Sequence, residues 1–78
     1  MPHVTLYSKP RCQQCHATER YLNKHGIAYE TVDISTDDDA REYVTGQLGF
    51  QSAPVVVVGD DTAWSGFRPD KIKMIPSM

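Results

Sequence analysis

Cys12 and Cys15 stand three residues apart with Gln13 and Gln14 between them. Thiols at that spacing can open and close a disulfide. If Cys15 lies on a helix whose first turn begins at Cys12, the two sulfurs fall on neighbouring turns of one face and can bond without a large movement of the backbone. A helix N-terminus also offers unpaired N–H groups and the positive end of the dipole. Both favour thiolate over thiol and lower the cysteine pKa from its free value of about 8.5. Lys9 and Arg11, just upstream, add to that field. On this reading Cys12 is the attacking thiolate. Cys15, set deeper on the helix, is the resolving thiol that displaces the mixed disulfide.

Two other chemistries share the spacing. A C-x-x-C pair is half of many zinc sites, and His3, His16 and His25 are available to complete a tetrahedral shell. Against zinc, the chain has no second C-x-x-C and no H-x₃₋₅-H pair. Cys12 to His16 also spells C-x-x-C-H, the attachment string of c-type haem, with Met74 or Met78 as conceivable axial ligands. Covalent haem attachment in bacteria belongs to exported proteins, and the chain opens Met1-Pro2-His3-Val4 with no charged-then-apolar signal segment. His16 then reads as a solvated helix residue, and no metal or bound cofactor is expected.

The bulk composition narrows the setting. Seventy-eight residues suffice for one small domain, 1–78, with a single core and little margin. The chain is 40% hydrophobic and 23% charged, ordinary for a soluble globular protein. Eight basic and ten acidic side chains leave a net charge of −2, and the basic ones are scattered singly. Nothing here points to a nucleic acid or a membrane surface as partner, and no apolar run approaches the roughly 20 residues of a spanning helix. Two cysteines are too few for a secreted disulfide scaffold. They point instead to a reducing cytoplasm and a bond that forms transiently in a monomer.

The elements that must position the dithiol can be read along the chain. Val4 to Tyr7 is a short β-favouring run, and Ser8-Lys9-Pro10 is a loop that delivers the chain to a helix. From Gln13 to His25, Cys15, Thr18 and Leu22 form an inward stripe flanked by Ala17 and Tyr21, with Gly26 as C-cap. Ile27 to Ile34 alternates as a second strand, parallel to the first. Thr36 is placed as N-cap of a second helix, with Asp37, Asp38 and Asp39 in its first turn. Ala40, Tyr43, Val44 and Leu48 supply its apolar face and Gly49 its C-cap, while Gly46 weakens its last turn. Val55 to Val58 is a central strand, Gly59-Asp60-Asp61 a hairpin turn, and Thr62 to Ser65 the returning strand. Pro69 starts a final short helix with Ile72 and Ile75 inward. The predicted order is β-α-β-α-β-β-α, an α/β fold with a four-stranded mixed sheet and helices on both faces.

At this level the chain resembles the thioredoxin superfamily: C-x-x-C after a first strand, and Ala53-Pro54 directly before the valine strand. The resemblance implies a cis peptide bond at Pro54, placed against the dithiol, with its neighbour pairing with the substrate chain. An X-Pro bond opposes cis by only about 0.5–1 kcal/mol, so a fold can impose that isomer. Within the superfamily the chain is similar to the NrdH-redoxins, which are glutaredoxin-like in size. The similarity rests on Trp64-Ser65-Gly66-Phe67-Arg68-Pro69-Asp70, on Tyr7-Ser8-Lys9-Pro10 and on Gln14. It implies an electron donor to class Ib ribonucleotide reductase, itself reduced by thioredoxin reductase and NADPH. Position 13 departs from that family, which favours an apolar residue where this chain has Gln13.

Glutaredoxins usually carry an aromatic residue inside the C-x-x-C and a Gly-Gly with acidic residues after the fourth strand, features that help hold glutathione. Gln13-Gln14 and the Trp64-to-Asp70 string stand in their place, which leaves a glutathione-dependent activity as the alternative. The resemblance assigns partner contact to Lys9, Arg11, Gln13, Gln14, Ala53, Pro54, Trp64, Ser65, Gly66, Phe67 and Arg68. Trp64 and Phe67 have a second reading as core-completing aromatics.

Overall fold

A computed structural model describes residues 2–78. Strand β1 (Val4–Ser8) leads to helix α1 (Gln13–Lys24), strand β2 (Glu30–Asp33) and helix α2 (Asp38–Glu42). Strands β3 (Val55–Val58) and β4 (Thr62–Ser65) and helix α3 (Pro69–Ile72) follow. The sheet order is β2-β1-β3-β4, with β1 parallel to β2 and both remaining pairs antiparallel. This is the predicted four-stranded mixed sheet and helix order.

Alternation along the strands sorts the layers. Val4 and Leu6 of β1, Val56 and Val58 of β3 and Trp64 of β4 enter one buried cluster with Leu22, Ile72 and Ile75, under α1 and the C-terminal turns. The other face carries Tyr7, whose ring lies 5.9 Å from that of Tyr43 in the turn that continues α2. The stripe expected on α1 is buried as read: Cys15, Thr18 and Leu22. Thr18 is satisfied there because its hydroxyl donates to the Gln14 carbonyl at 2.8 Å.

Three local departures have identifiable causes. The second strand begins at Glu30 and not at Ile27. Gly26, at φ 67°, turns the chain so that the Ile27 N–H donates back to Leu22 O and the Gly26 N–H to Asn23 O. This helix-closing turn consumes the amide of Ile27. The cap of α2 is Asp37, whose Oδ1 accepts from Ala40 N–H at 3.0 Å, in place of Thr36. Thr36 is drawn into the preceding turn, its hydroxyl donating to Asp33 O. Finally, α2 stays regular for only five residues and widens over Tyr43–Gln47 into a π-helical turn, with Leu48 N–H donating to Tyr43 O. There Thr45 Oγ1 donates to Arg41 O at 2.9 Å, competing for a carbonyl of the regular ladder, and Gly46 is a poor helix former.

Candidate active site

Register places the site. Tyr7 pairs with Val55, and Val55 with Ser65, so the loop leaving β1, the residues entering β3 and the residues leaving β4 share one end of the sheet. The loop from β1 carries Lys9, Pro10 and Arg11, all exposed, to Cys12. Arg11 takes the left-handed conformation, φ 58°, which reverses the chain immediately before the first cysteine.

Cys12 is the N-cap of α1, in extended conformation, and its Sγ accepts from the Cys15 N–H at 3.1 Å. The Cα atoms of Cys12 and Cys15 lie 5.2 Å apart and the two sulfurs are bonded to each other. Cys12 keeps 7% of its surface exposed and Cys15 2%, so what access there is favours Cys12. The first turn of α1 holds no carboxylate. Gln13 and Gln14 are both exposed. Among the described residues no three His, Cys, Asp or Glu side chains converge on a metal-sized site.

Pro54 is fully buried at the head of β3, and the Ala53–Pro54 peptide bond is cis. The Pro54 carbonyl accepts from the Gly66 N–H at 2.8 Å. Gly66, at φ 86°, makes the turn out of β4, and a Cβ there would lie 3.5 Å from Gln14 Oε1. The next amide, Phe67 N–H, donates to that same Gln14 Oε1 at 3.1 Å. Gln14 therefore clamps the dithiol helix to the loop after β4 across 53 residues of sequence. Ser65 Oγ donates to Ser52 O at 3.1 Å, fixing the other side of that loop. Residues 12–15, 53–54 and 65–68 are thereby brought together.

One expectation needs correction. Trp64, read as a candidate partner contact, is only 4% exposed and lies in the core, because alternation along β4 turns it inward opposite Val56. Its Nε1–H is buried without an acceptor. Gln14 is exposed and its side-chain oxygen accepts from the Phe67 N–H. Arg68 and Asp70 pair on the surface through two hydrogen bonds, at 3.2 and 3.0 Å. Those bonds hold the Asp70 carboxyl below its ordinary range and the Arg68 guanidinium above its own. On the far side of the sheet, burial first, then the neighbouring Tyr43 and Asp37, push the Tyr7 phenol upward.

One feature escaped sequence reasoning. On α1, Ala17, Arg20, Tyr21 and Lys24 line with Phe67 an open groove of about 290 Å³. The rings of Tyr21 and Phe67 meet edge to face, with centroids 5.9 Å apart. Helical spacing puts 17, 20, 21 and 24 together, but only the loop fold adds Phe67.

The glutaredoxin family matches residues 4–63. The NrdH glutaredoxin-like protein of Salmonella typhimurium is 42% identical over 92% of this chain and 86% of its own. That of Lactococcus lactis is 41% identical over 88% and 93%. The solved structure of Escherichia coli NrdH-redoxin, a glutaredoxin-like protein with a thioredoxin-like activity profile, superposes with a TM-score of 0.87 at 38% identity, covering 94% of this chain and 93% of that one.

Proposed function

We propose that this chain, which belongs to the glutaredoxin family and within it to the NrdH glutaredoxin-like proteins, is a thiol-disulfide oxidoreductase that donates electrons to ribonucleotide reductase of class Ib and is recycled by thioredoxin reductase and NADPH. The observation that carries the redox part is the Cys12–Cys15 disulfide at the N-terminus of α1, beside the Pro54 and Gly66 segments. Likeness to the NrdH glutaredoxin-like proteins, which extends over nearly the whole chain, supports the choice of partner.

In the reduced protein the Cys12 sulfur sits at the positive end of α1 with the Cys15 N–H aimed at it, a setting that favours thiolate. Cys12 Sγ attacks one sulfur of the partner disulfide, forming a mixed disulfide and releasing the first partner thiolate. Cys15, as thiolate, then attacks Cys12 Sγ, which closes the Cys12–Cys15 bond and releases the second. Two electrons pass to the partner, and the two departing thiolates take up the protons lost by Cys12 and Cys15. NADPH supplies the next pair through the reductase. The protein itself carries no cofactor in this cycle and acts as a single-domain monomer in the cytoplasm. Lys9, Arg11, Gln13, Gln14, Ala53, Ser65, Gly66, Phe67 and Arg68 form the surroundings that a partner chain meets, with the Pro54 ring buried behind them.

The test is NADPH consumption by the oxidised protein, with thioredoxin reductase in one cuvette and with glutathione and glutathione reductase in another. Turnover in the first alone supports the reading, whereas turnover in the second alone makes the chain a glutathione-dependent glutaredoxin. Cys12→Ser should abolish disulfide reduction and Cys15→Ser should accumulate the trapped mixed species. Full activity in either variant would overturn the mechanism.

A further inference from the structure

The groove between α1 and Phe67 is continuous with the site, because Gln14 of the same helix holds the Phe67 amide. Its wall is apolar: Ala17, then Tyr21 edge-on to Phe67. Its rim is basic. Arg20 and Lys24 are exposed, four residues apart on one face of α1, and neither is in an ion pair among the described residues. Two other arginines are neutralised locally, Arg41 by Asp38 at 3.1 Å and Arg68 by Asp70 at 3.0 Å. Lys24 Nζ stands 5.8 Å over the Tyr21 ring, so the cation is positioned above the groove. Lys9 and Arg11, on the approach to Cys12, are two further exposed cations outside any ion pair among the described residues.

Glu19 is the one acid on α1 and Asp70 is paired with Arg68, whereas a group of four acids lies on the other flank. Ser8 pairs with Asp33, so Asp33 and the Asp37 to Asp39 run leave the same end of the sheet at the β2 edge, on the side away from β4. A chain approaching the dithiol thus meets positive charge toward α1 and negative charge toward β2, although the molecule as a whole carries −2. Local sign, not net charge, decides orientation within a Debye length of about 8–10 Å.

We propose that this groove is the docking site for an acidic segment, carrying an aromatic or large aliphatic residue, that flanks the reducible disulfide of the protein's partner. The apolar residue inserts between Ala17, Tyr21 and Phe67, and the carboxylates engage Arg20 and Lys24. The inference rests on the disulfide-reductase reading and names the partner's surface chemistry.

The test uses the reduced full chain in single turnover against synthetic peptides. Each contains one intramolecular disulfide followed by Glu-Phe-Glu-Glu, Lys-Phe-Lys-Lys or Gln-Phe-Gln-Gln, with a small aromatic disulfide reagent alongside. Two surface charge contacts of about 0.3–1 kcal/mol each give the acidic peptide an advantage of roughly 3–30-fold over the neutral one. That advantage should shrink as salt rises from 0.01 to 1 M, the Debye length contracting from about 30 to 3 Å. Arg20→Gln with Lys24→Gln should bring the acidic-to-neutral ratio toward one. Arg41→Gln, the loss of one positive charge outside the groove, should leave the ratio as it was. Equal rates for all peptides, or a ratio that survives the double substitution, overturn the docking site while the reductase reading stands. Failure to reduce even the small reagent overturns the reductase reading itself and the docking site with it.

Discussion

Replacing Trp64 with alanine separates the two roles that its position in the C-terminal string allows. The side chain is 4% exposed, inside the cluster with Leu6, Val56 and Ile72. An aromatic of its class buries about 150–250 Å², which at about 25 cal/mol/Å² corresponds to roughly 4–6 kcal/mol. Measured truncations of buried aromatics to alanine cost about 3–5 kcal/mol. A chain of 78 residues has on the order of 4–12 kcal/mol of stability in total. Trp64→Ala should therefore be largely unfolded if the total lies at the low end of that range, and otherwise lose about 3–5 kcal/mol with a correspondingly lower urea midpoint. Trp64→Phe should behave differently. It loses one ring of packing but also removes the Nε1–H that is buried without an acceptor, whose desolvation costs about 1–3 kcal/mol. The two effects offset, leaving a net loss below about 1.5 kcal/mol. Urea unfolding followed by far-UV circular dichroism is the assay, since Trp64 is the only tryptophan and its fluorescence is lost with it. A loss below about 1 kcal/mol in Trp64→Ala, at unchanged m-value, would refute the core assignment and return Trp64 to the surface.

Gly66→Ala should lower stability by about 1–2 kcal/mol through backbone conformation alone, because φ is 86° while the added Cβ would stand at an ordinary 3.5 Å from Gln14 Oε1. Gly66→Asn should lose less, and equal losses in thermal melts would count against a left-handed turn. Tyr7 is held above its ordinary pKa of 10.0 by burial first, then by Tyr43 and Asp37. Its contribution is fully present below the unfolded value and is lost as pH rises through the folded one. Absorbance at 295 nm, wild type minus Tyr7→Phe, should show this phenol ionising above pH 10, and Tyr7→Phe should resist alkaline unfolding better. A difference titration centred at or below pH 10 would contradict that environment.

What could be read from the sequence was what neighbours in the chain decide. The four valines of β3, the 3.6-residue stripe of α1 and the Pro at the start of α3 express local periodicity and fixed φ, and each lies where expected. Errors arose where two local options compete at similar energy. Asp37 and Thr36 are both good caps, and the Asp33 turn decided between them by occupying the Thr36 hydroxyl. Ile27 is as apolar as a strand residue, yet its amide closes α1. Trp64 had a usable signal, since β4 alternates Ala63 and Ser65 against it and sets it opposite Val56. The Gln14 to Phe67 bond had none, because a glutamine between two cysteines carries no mark of an amide 53 residues away.

That bond bears on how so small a fold keeps a site in order. The dithiol belongs to a rigid element, the first turn of a 12-residue helix, but Gly66 to Arg68 belong to a loop. Two hydrogen bonds join the loop to its neighbours: Gly66 N–H to Pro54 O, and Phe67 N–H to Gln14 Oε1. Each contributes about 0.5–1.5 kcal/mol, and an exposed one stands at the low end. Such bonds are too weak to decide whether 78 residues fold, which the nine-residue cluster under α1 decides. They are strong enough to bias a short loop among positions that differ by RT. The chain thus separates two tasks by energy scale: burial secures the sheet and helix that hold Cys12 and Cys15, and single polar contacts set the edge that a partner meets. Substitutions in the first group should act on stability and activity together, and those that remove only a polar contact of the loop mainly on activity.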